Sequence, residues 1–171
     1  MDKYIQSDRY RIGRRPFLFQ VFMRKCASSS GFLQFIYRGV YRYLCSKRAI
    51  EISWRTKIGY GLYIGHAYGI TINDQVRIGN NCNIHKGVTI GQENRGTRMG
   101  VPEIGNDVWI GVNATIVGNV TIGDDVLIAP NSYVNCDVPS HSIVIGNPCS
   151  IKHCDNATGQ YINNRFVEND M

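Results

Sequence analysis

The sequence predicts an all-β fold, a parallel β-helix of hexapeptide repeats, with a small α-helical segment at its N-terminal end. Three observations carry this. Ile58, Ile64, Ile70, Val76, Cys82 and Val88 fall at six-residue spacing, and after an interruption Ile104, Ile110, Ile116, Ile122, Ile128 and Val134 resume it. Companion ladders run through Ile72, Ile78, Ile84 and Ile90, then Val108, Ala114, Val120 and Val126. Gly follows the aliphatic residue in IGYG, IGHA, IGNN, IGQE, IGND, IGVN and IGDD. Each hexapeptide reads as a short strand and a turn, with the aliphatic side chain inward and Gly, Asn or Asp at the corner, where positive φ is tolerated. Three such units make a triangular coil. No coil buries its own face, so coils stack.

Residues 1–49 lack the repeat. They read as two helical stretches broken near Ser28–Gly31, the first starting at Pro16, which suits a first helical turn. In the second, Phe32, Phe35, Ile36, Val40 and Leu44 share a face. Residues 1–50 hold 11 Lys+Arg against Asp2 and Asp8, a net +9; residues 51–171 hold 8 against 11, a net −3. The basic charge therefore belongs to the N-terminal segment. It suits either a helical cap over the first coil or peripheral contact of residues 1–48 with anionic membrane lipid. No nucleic-acid motif accompanies it.

The β-helix spans residues 50–152. Ile90 and Ile104 are 14 residues apart, so one hexapeptide carries eight extra residues, and 92–103 must leave the prism as an extruded, polar, cationic loop. Pro139 and Pro148 end the regular coils, and the polar tail 153–171 is expected to extend or fray. Six cysteines without paired spacing, and no secretory signal, read as reduced thiols of a cytoplasmic protein; Cys82 reads as a small core residue. Cys149, His153 and Cys154 lack a fourth zinc ligand, so no metal is expected.

His66, in IGHAYGI, stands where the companion ladder would carry an aliphatic residue: a satisfied core group, or a base facing a groove between subunits. His85, 19 residues on, falls close to one coil later, either beside His66 or as a solvated turn residue.

On these residues the chain resembles a known family. Residues 50–152 are similar to the left-handed β-helix of the hexapeptide acyltransferases, in their serine acetyltransferase branch. EISWRTKIGYGLYIGHAYGI matches the branch's acidic residue, K-I-G-x-G and H-A-x-G-I. GVTIG matches the strand before the active-site loop, and the segment from Val101 to Pro148 matches the last coils and closing G-x-P.

The resemblance implies an acetyl-CoA-dependent O-acetyltransferase acting as a homotrimer. Acetyl-CoA would lie between subunits, near Gly91, Val112 and Pro130. His66 would be the catalytic base, oriented by Glu51 from 15 residues upstream, and His85 and Arg98 would contact the acceptor. The sequence departs from the branch at Gly65, where Asp is usual, and at Gly100 and Val101, where an Arg-His pair precedes the proline. A short segment replaces the long helical N-terminal domain. These departures favour a sugar or polysaccharide precursor as acceptor, as in the short enzymes of capsule and colanic-acid gene clusters. L-Serine O-acetylation is the alternative, and a non-catalytic trimeric scaffold the second alternative.

Overall fold

The structure, a computed structural model, describes residues 2–13 and 16–167. Three α-helices precede a parallel β-helix. The helices are α1 (Lys3–Ile12), α2 (Leu18–Ser28) and α3 (Gly31–Ser46).

Face 1 stacks β1 (Glu51–Ile52), β4 (Thr71–Ile72), β7 (Thr89–Gly91), β10 (Thr115–Val117) and β13 (Tyr133–Val134). Face 2 stacks β2 (Lys57–Ile58), β5 (Arg77–Ile78), β8 (Glu103–Ile104) and β11 (Thr121–Ile122). Face 3 stacks β3 (Tyr63–Gly65), β6 (Asn83–His85), β9 (Trp109–Ile110), β12 (Val126–Ile128) and β14 (Ser142–Ile145), and ends on β15 (Ser150–His153). All pairs are parallel except β14 with β15. The aliphatic ladders fill the interior; Ile70, Ile84, Ile90, Ile110, Ile116 and Ile128 are inaccessible to solvent. Cys82 is among them, and burial pushes its thiol up to about 12.

The strand register corrects the six-residue ladder at one point. Ile64 pairs with Ile84 and Thr71 with Thr89. From Ile64 to Thr71 the chain advances seven positions, while between their partners Ile84 and Thr89 it advances five. The first coil therefore carries two extra residues at the corner between faces 3 and 1, at His66. Ile70 continues the companion ladder (Ile50, Leu62, Ile70, Val76, Cys82, Val88), not the main one (Ile52, Ile58, Ile64, Ile72, Ile78, Ile84). Two aliphatic ladders two residues apart conceal a two-residue insertion, because every sixth position remains apolar.

Helices α2 and α3 seal the open first coil. Phe19, Met23, Cys26, Tyr41 and Cys45 join the interior cluster that continues through Ile50 and Ile52. The Tyr41 hydroxyl donates to the Ile52 carbonyl at 2.5 Å. Residues Pro16 and Phe17 precede α2 rather than opening it. Helix α1 was not legible in the sequence because it buries a polar face: Ser7, Asp8 and Arg11. Asp8 accepts from the Arg24 guanidinium (3.0 and 3.1 Å), Gln20 (2.9 Å) and the Leu62 N–H (2.8 Å). Arg24 also donates to the carbonyls of Ile58 and Gly59. One buried ion pair thus satisfies three of the backbone groups that the first coil leaves without a neighbouring coil, the Leu62 N–H and the Ile58 and Gly59 carbonyls.

The expectation of a frayed tail is overturned for residues 154–167; residues 168–171 lie outside the described set. One prism edge repeats a left-handed corner at Asn81, Asp107 and Asp125 (φ 56°, 54° and 54°). These side chains grip the tail as it runs back down the edge. Asp125 accepts from the Ala157 and Thr158 N–H groups and the Thr158 hydroxyl. Asp107 pairs with Arg165 at 2.9 Å. Asn81 makes two hydrogen bonds with the Phe166 backbone. Ile162 and Phe166 are buried, with Phe166 edge-on to Tyr10 and Tyr60. Arg11 closes the strap by donating to the Asn163 carbonyl and Asn83.

Candidate active site

The two-residue insertion throws His66 out of the stack. It sits at the corner between β3 and β4 in the left-handed region (φ 53°), with its side chain exposed. This overturns its placement on the companion ladder. A non-glycine residue held at positive φ on a rigid corner is a familiar setting for a functional side chain.

On the next coil, His85 lies in register with Gly65. Its ring is half-buried and packs 4.7 Å from Trp109, itself 5.0 Å from Tyr161. Tyr63 stands on the other side at 6.2 Å. His85 Nδ1 is 3.0 Å from the Ile110 carbonyl. A carbonyl only accepts, so the proton resides on Nδ1 and Nε2 is left as an acceptor. Burial lowers the His85 pKa from the usual 6.5; the Ile110 carbonyl raises it, and neighbouring His66 lowers it again. The ring is therefore neutral at pH 7.

Gly65 follows from this arrangement. A Cβ there would collide with the His85 ring, 2.7 Å from Nε2. The imidazole occupies the room that a side chain before His66 would need. The structure thus brings His66 and His85 together and ties the departure at Gly65 to His85. That coupling was missed in the sequence, because it depends on a 20-residue first coil that the apparent period hides.

Val112 and Pro130 lie along the same corner edge as His66, two and three coils further on: the Asn113 N–H bonds the Lys86 carbonyl and the Asn131 N–H the Val112 carbonyl. Pro130 packs over Gly111, where a Cβ would lie 2.6 Å from the proline nitrogen.

Glu51 is exposed on β1 and makes no hydrogen bond to His66 within the chain. Gly91 ends β7 at the opposite edge of face 1, followed by a loop over 92–102, one residue shorter than the spacing predicts because Glu103 already belongs to β8. The loop is clasped at its base, where Glu93 and Gly100 exchange two backbone hydrogen bonds of 3.0 Å, and the Asn119 N–H donates to the Arg98 carbonyl. The Arg98 side chain is exposed beside a small hollow of about 160 Å³. Within one chain, face 1 separates Gly91 and Arg98 from His66.

Residues 102–136 match the family described as bacterial transferase hexapeptide (six repeats). The fold is that of a β-helix of hexapeptide repeats, and over these residues the chain is similar to that transferase family. Among its relatives is a serine acetyltransferase of Staphylococcus xylosus, 41% identical over 99 residues, 58% of this chain and 46% of that protein. A crystal structure of the Neisseria gonorrhoeae serine acetyltransferase in complex with serine superposes with a TM-score of 0.63 and 30% identity, over 78% of this chain and 53% of that one. A serine acetyltransferase in complex with CoA gives a TM-score of 0.69 at 25% identity, over 88% and 67%.

The chain spans about half the length of the curated relatives it matches. These relatives overturn the expectation of a sugar acceptor. They are serine acetyltransferases, and the likeness to capsule and colanic-acid enzymes finds no support among them. The absent Asp at position 65 does not argue for a sugar, since the His85 ring takes up its space.

Proposed function

We propose that this protein is an acetyl-CoA-dependent O-acetyltransferase whose acceptor is the hydroxyl of L-serine. The observation that carries the reading is the His66 corner: an exposed imidazole on an inserted bend, beside a second, neutral imidazole, in a chain whose relatives are serine acetyltransferases.

His66 takes the proton from the serine hydroxyl as that oxygen attacks the thioester carbonyl carbon. The tetrahedral oxyanion is met by a backbone N–H at Gly91 or Gln92. The intermediate collapses with cleavage of the C–S bond, and the imidazolium returns its proton to the departing CoA sulfur. Glu51, on the adjacent strand β1, stabilises the charged ring. Acetyl-CoA runs along the edge marked by Val112 and Pro130. His85 Nε2 accepts from an N–H of serine, and Arg98 attracts its carboxylate.

Because His66 and the Gly91–Arg98 segment lie at opposite edges of face 1, a complete site needs a second copy of the chain. That is the physical argument for a homotrimer with sites between subunits. The test is free-thiol release from acetyl-CoA with L-serine present. Serine-dependent release that disappears in His66→Ala supports the reading; release unchanged in that variant removes it.

The exposed face of α3 supports membrane contact as a second property: Phe32 (76% exposed), Phe35 (72%) and Leu33 (57%) beside Arg38 and Arg42. No helix of the described residues is long and apolar enough to cross a membrane. Flotation with phosphatidylserine vesicles, lost in the F32D/F35D variant, is the expected result.

A further inference from the structure

A cleft of about 710 Å³ lies well away from the His66 edge, where the start of α1 and the end of α2 pass over β2 and β5. Three features mark it as more than a packing gap. The first is uncompensated charge. Lys57 and Arg77 are direct cross-strand partners on face 2, both exposed. Like charges placed opposite one another repel. Neither forms an ion pair among the described residues, although Glu103 on β8 is the other cross-strand partner of Arg77, and the Arg55 guanidinium, at the same mouth, stacks over the Trp54 ring 5.0 Å away. Arg24, deeper in, is already neutralised by Asp8.

The second feature is a pair of orphaned polar atoms. Thr56 is only 8% exposed and holds a companion-ladder position, yet its Oγ1 has no hydrogen-bond partner. Asp2 Oδ2, also in the lining, is buried without a partner as well. Buried polar atoms are ordinarily satisfied, so two together point to a group that supplies the missing bonds. The third is an apolar wall of Tyr4, Met23 and Ile78, which gives a ligand somewhere to bury a carbon skeleton.

Three cations against the carboxylates of Asp2 and Glu103 leave a net positive charge of about +1, which favours an anionic group such as a phosphate monoester. We propose that this cleft binds a small phosphorylated compound. Its phosphate sits between Arg55, Lys57 and Arg77, its body lies on the apolar wall, and a donor group reaches Asp2 and Thr56. The volume falls in the range of small-molecule sites. The proposal does not depend on the acetyl-transfer reading.

Trp54 reports on the cleft, because a phosphate that draws Arg55 away changes the environment of its ring. The chain has two tryptophans, so Trp109→Phe leaves Trp54 as the sole tryptophan, excited selectively over the tyrosines at the red edge of its absorption band. Titration of that variant with 5′-AMP is expected to give a saturable fluorescence change. Adenosine should bind at least about tenfold more weakly, and so should AMP to the K57A/R77A variant. Thr56→Val should raise the Tm of the free protein while weakening AMP binding. K57A/R77A alters exposed side chains, and an unchanged Tm and circular dichroism spectrum establish that it is folded. No saturable response to AMP, equal affinity for adenosine, or unweakened binding in K57A/R77A would each overturn the proposal.

Discussion

At the scale of single residues, the site turns on a trade of volume. Gly65 has no side chain because the His85 ring fills the space above it, and His85 holds that place through one hydrogen bond and the Trp109 ring. Gly65→Ala forces the ring to move. The expected result is a raised KM for serine with a smaller change in kcat, measured by steady-state kinetics. Combining it with His85→Ala should remove the clash and leave only the loss of the His85 contact. His66→Ala should lower kcat by ~10²–10⁴, the usual worth of a positioned base. The His85 pKa lies below 6.5 in the folded chain, so the ring stays neutral as pH falls through 6.5 and charges only at more acid pH. NMR titration of its ring protons should show this displaced transition, and His85→Gln should abolish it.

At the scale of elements, the C-terminal strap is held by corner carboxylates. Asp125 accepts three hydrogen bonds from Ala157 and Thr158 and lies 2.9 Å from His141 Nδ1. Burial raises its pKa, but the Thr158, His141 and Ala157 bonds outweigh burial and leave it below 3.8. A depressed carboxyl pKa contributes stability above the unfolded value, and that contribution is lost as pH falls through the folded value. The Asp125 contribution to docking should therefore be complete above about pH 4 and be lost in stronger acid, whereas burial raises the pKa of Asp107, which adds no such acid-side stabilisation. At a partly solvated corner each hydrogen bond is worth about 1 kcal/mol net, so losing the three that Asp125 accepts, Asp125→Ala should cost about 3 kcal/mol in all. The measurement is denaturant unfolding, with limited proteolysis after residue 154 as the local reporter. Asp125→Asn should retain part of the docking at pH 7 and lose the acid dependence.

At the scale of the whole molecule, a solenoid must close its ends. The last coil ends on the antiparallel strand β15, and the first is closed by α2 and α3 with the Asp8–Arg24 pair pinning α1. Asp8→Ala leaves a buried guanidinium without a counter-charge, which costs about 3–5 kcal/mol. At roughly 2–4 °C per kcal/mol for a chain of this size, the Tm should fall by about 6–20 °C in calorimetry. Replacing both Asp8 and Arg24 with apolar residues of similar size should recover much of it. If Asp8→Ala left the Tm unchanged, the helices would be ornaments to the first coil and not its seal.

The sequence by itself determined the stacked, three-faced β-helix, the position of the extruded loop and the candidate base His66, because a repeated aliphatic ladder and a motif around one residue are local patterns. It left the docked tail, helix α1 and the Gly65–His85 fit to the tertiary structure. Residues 154–167 are polar and carry no period, yet they dock because Asn81, Asp107 and Asp125, far apart in the chain, line up on one edge. Helix α1 buries polar groups whose partners are backbone atoms of the first coil. The inserted bend at His66 vanishes in a six-residue count and emerges only from which strands pair. Spacing along a chain records which face a residue takes, whereas contacts across coils depend on register, and register is set only when the coils have stacked.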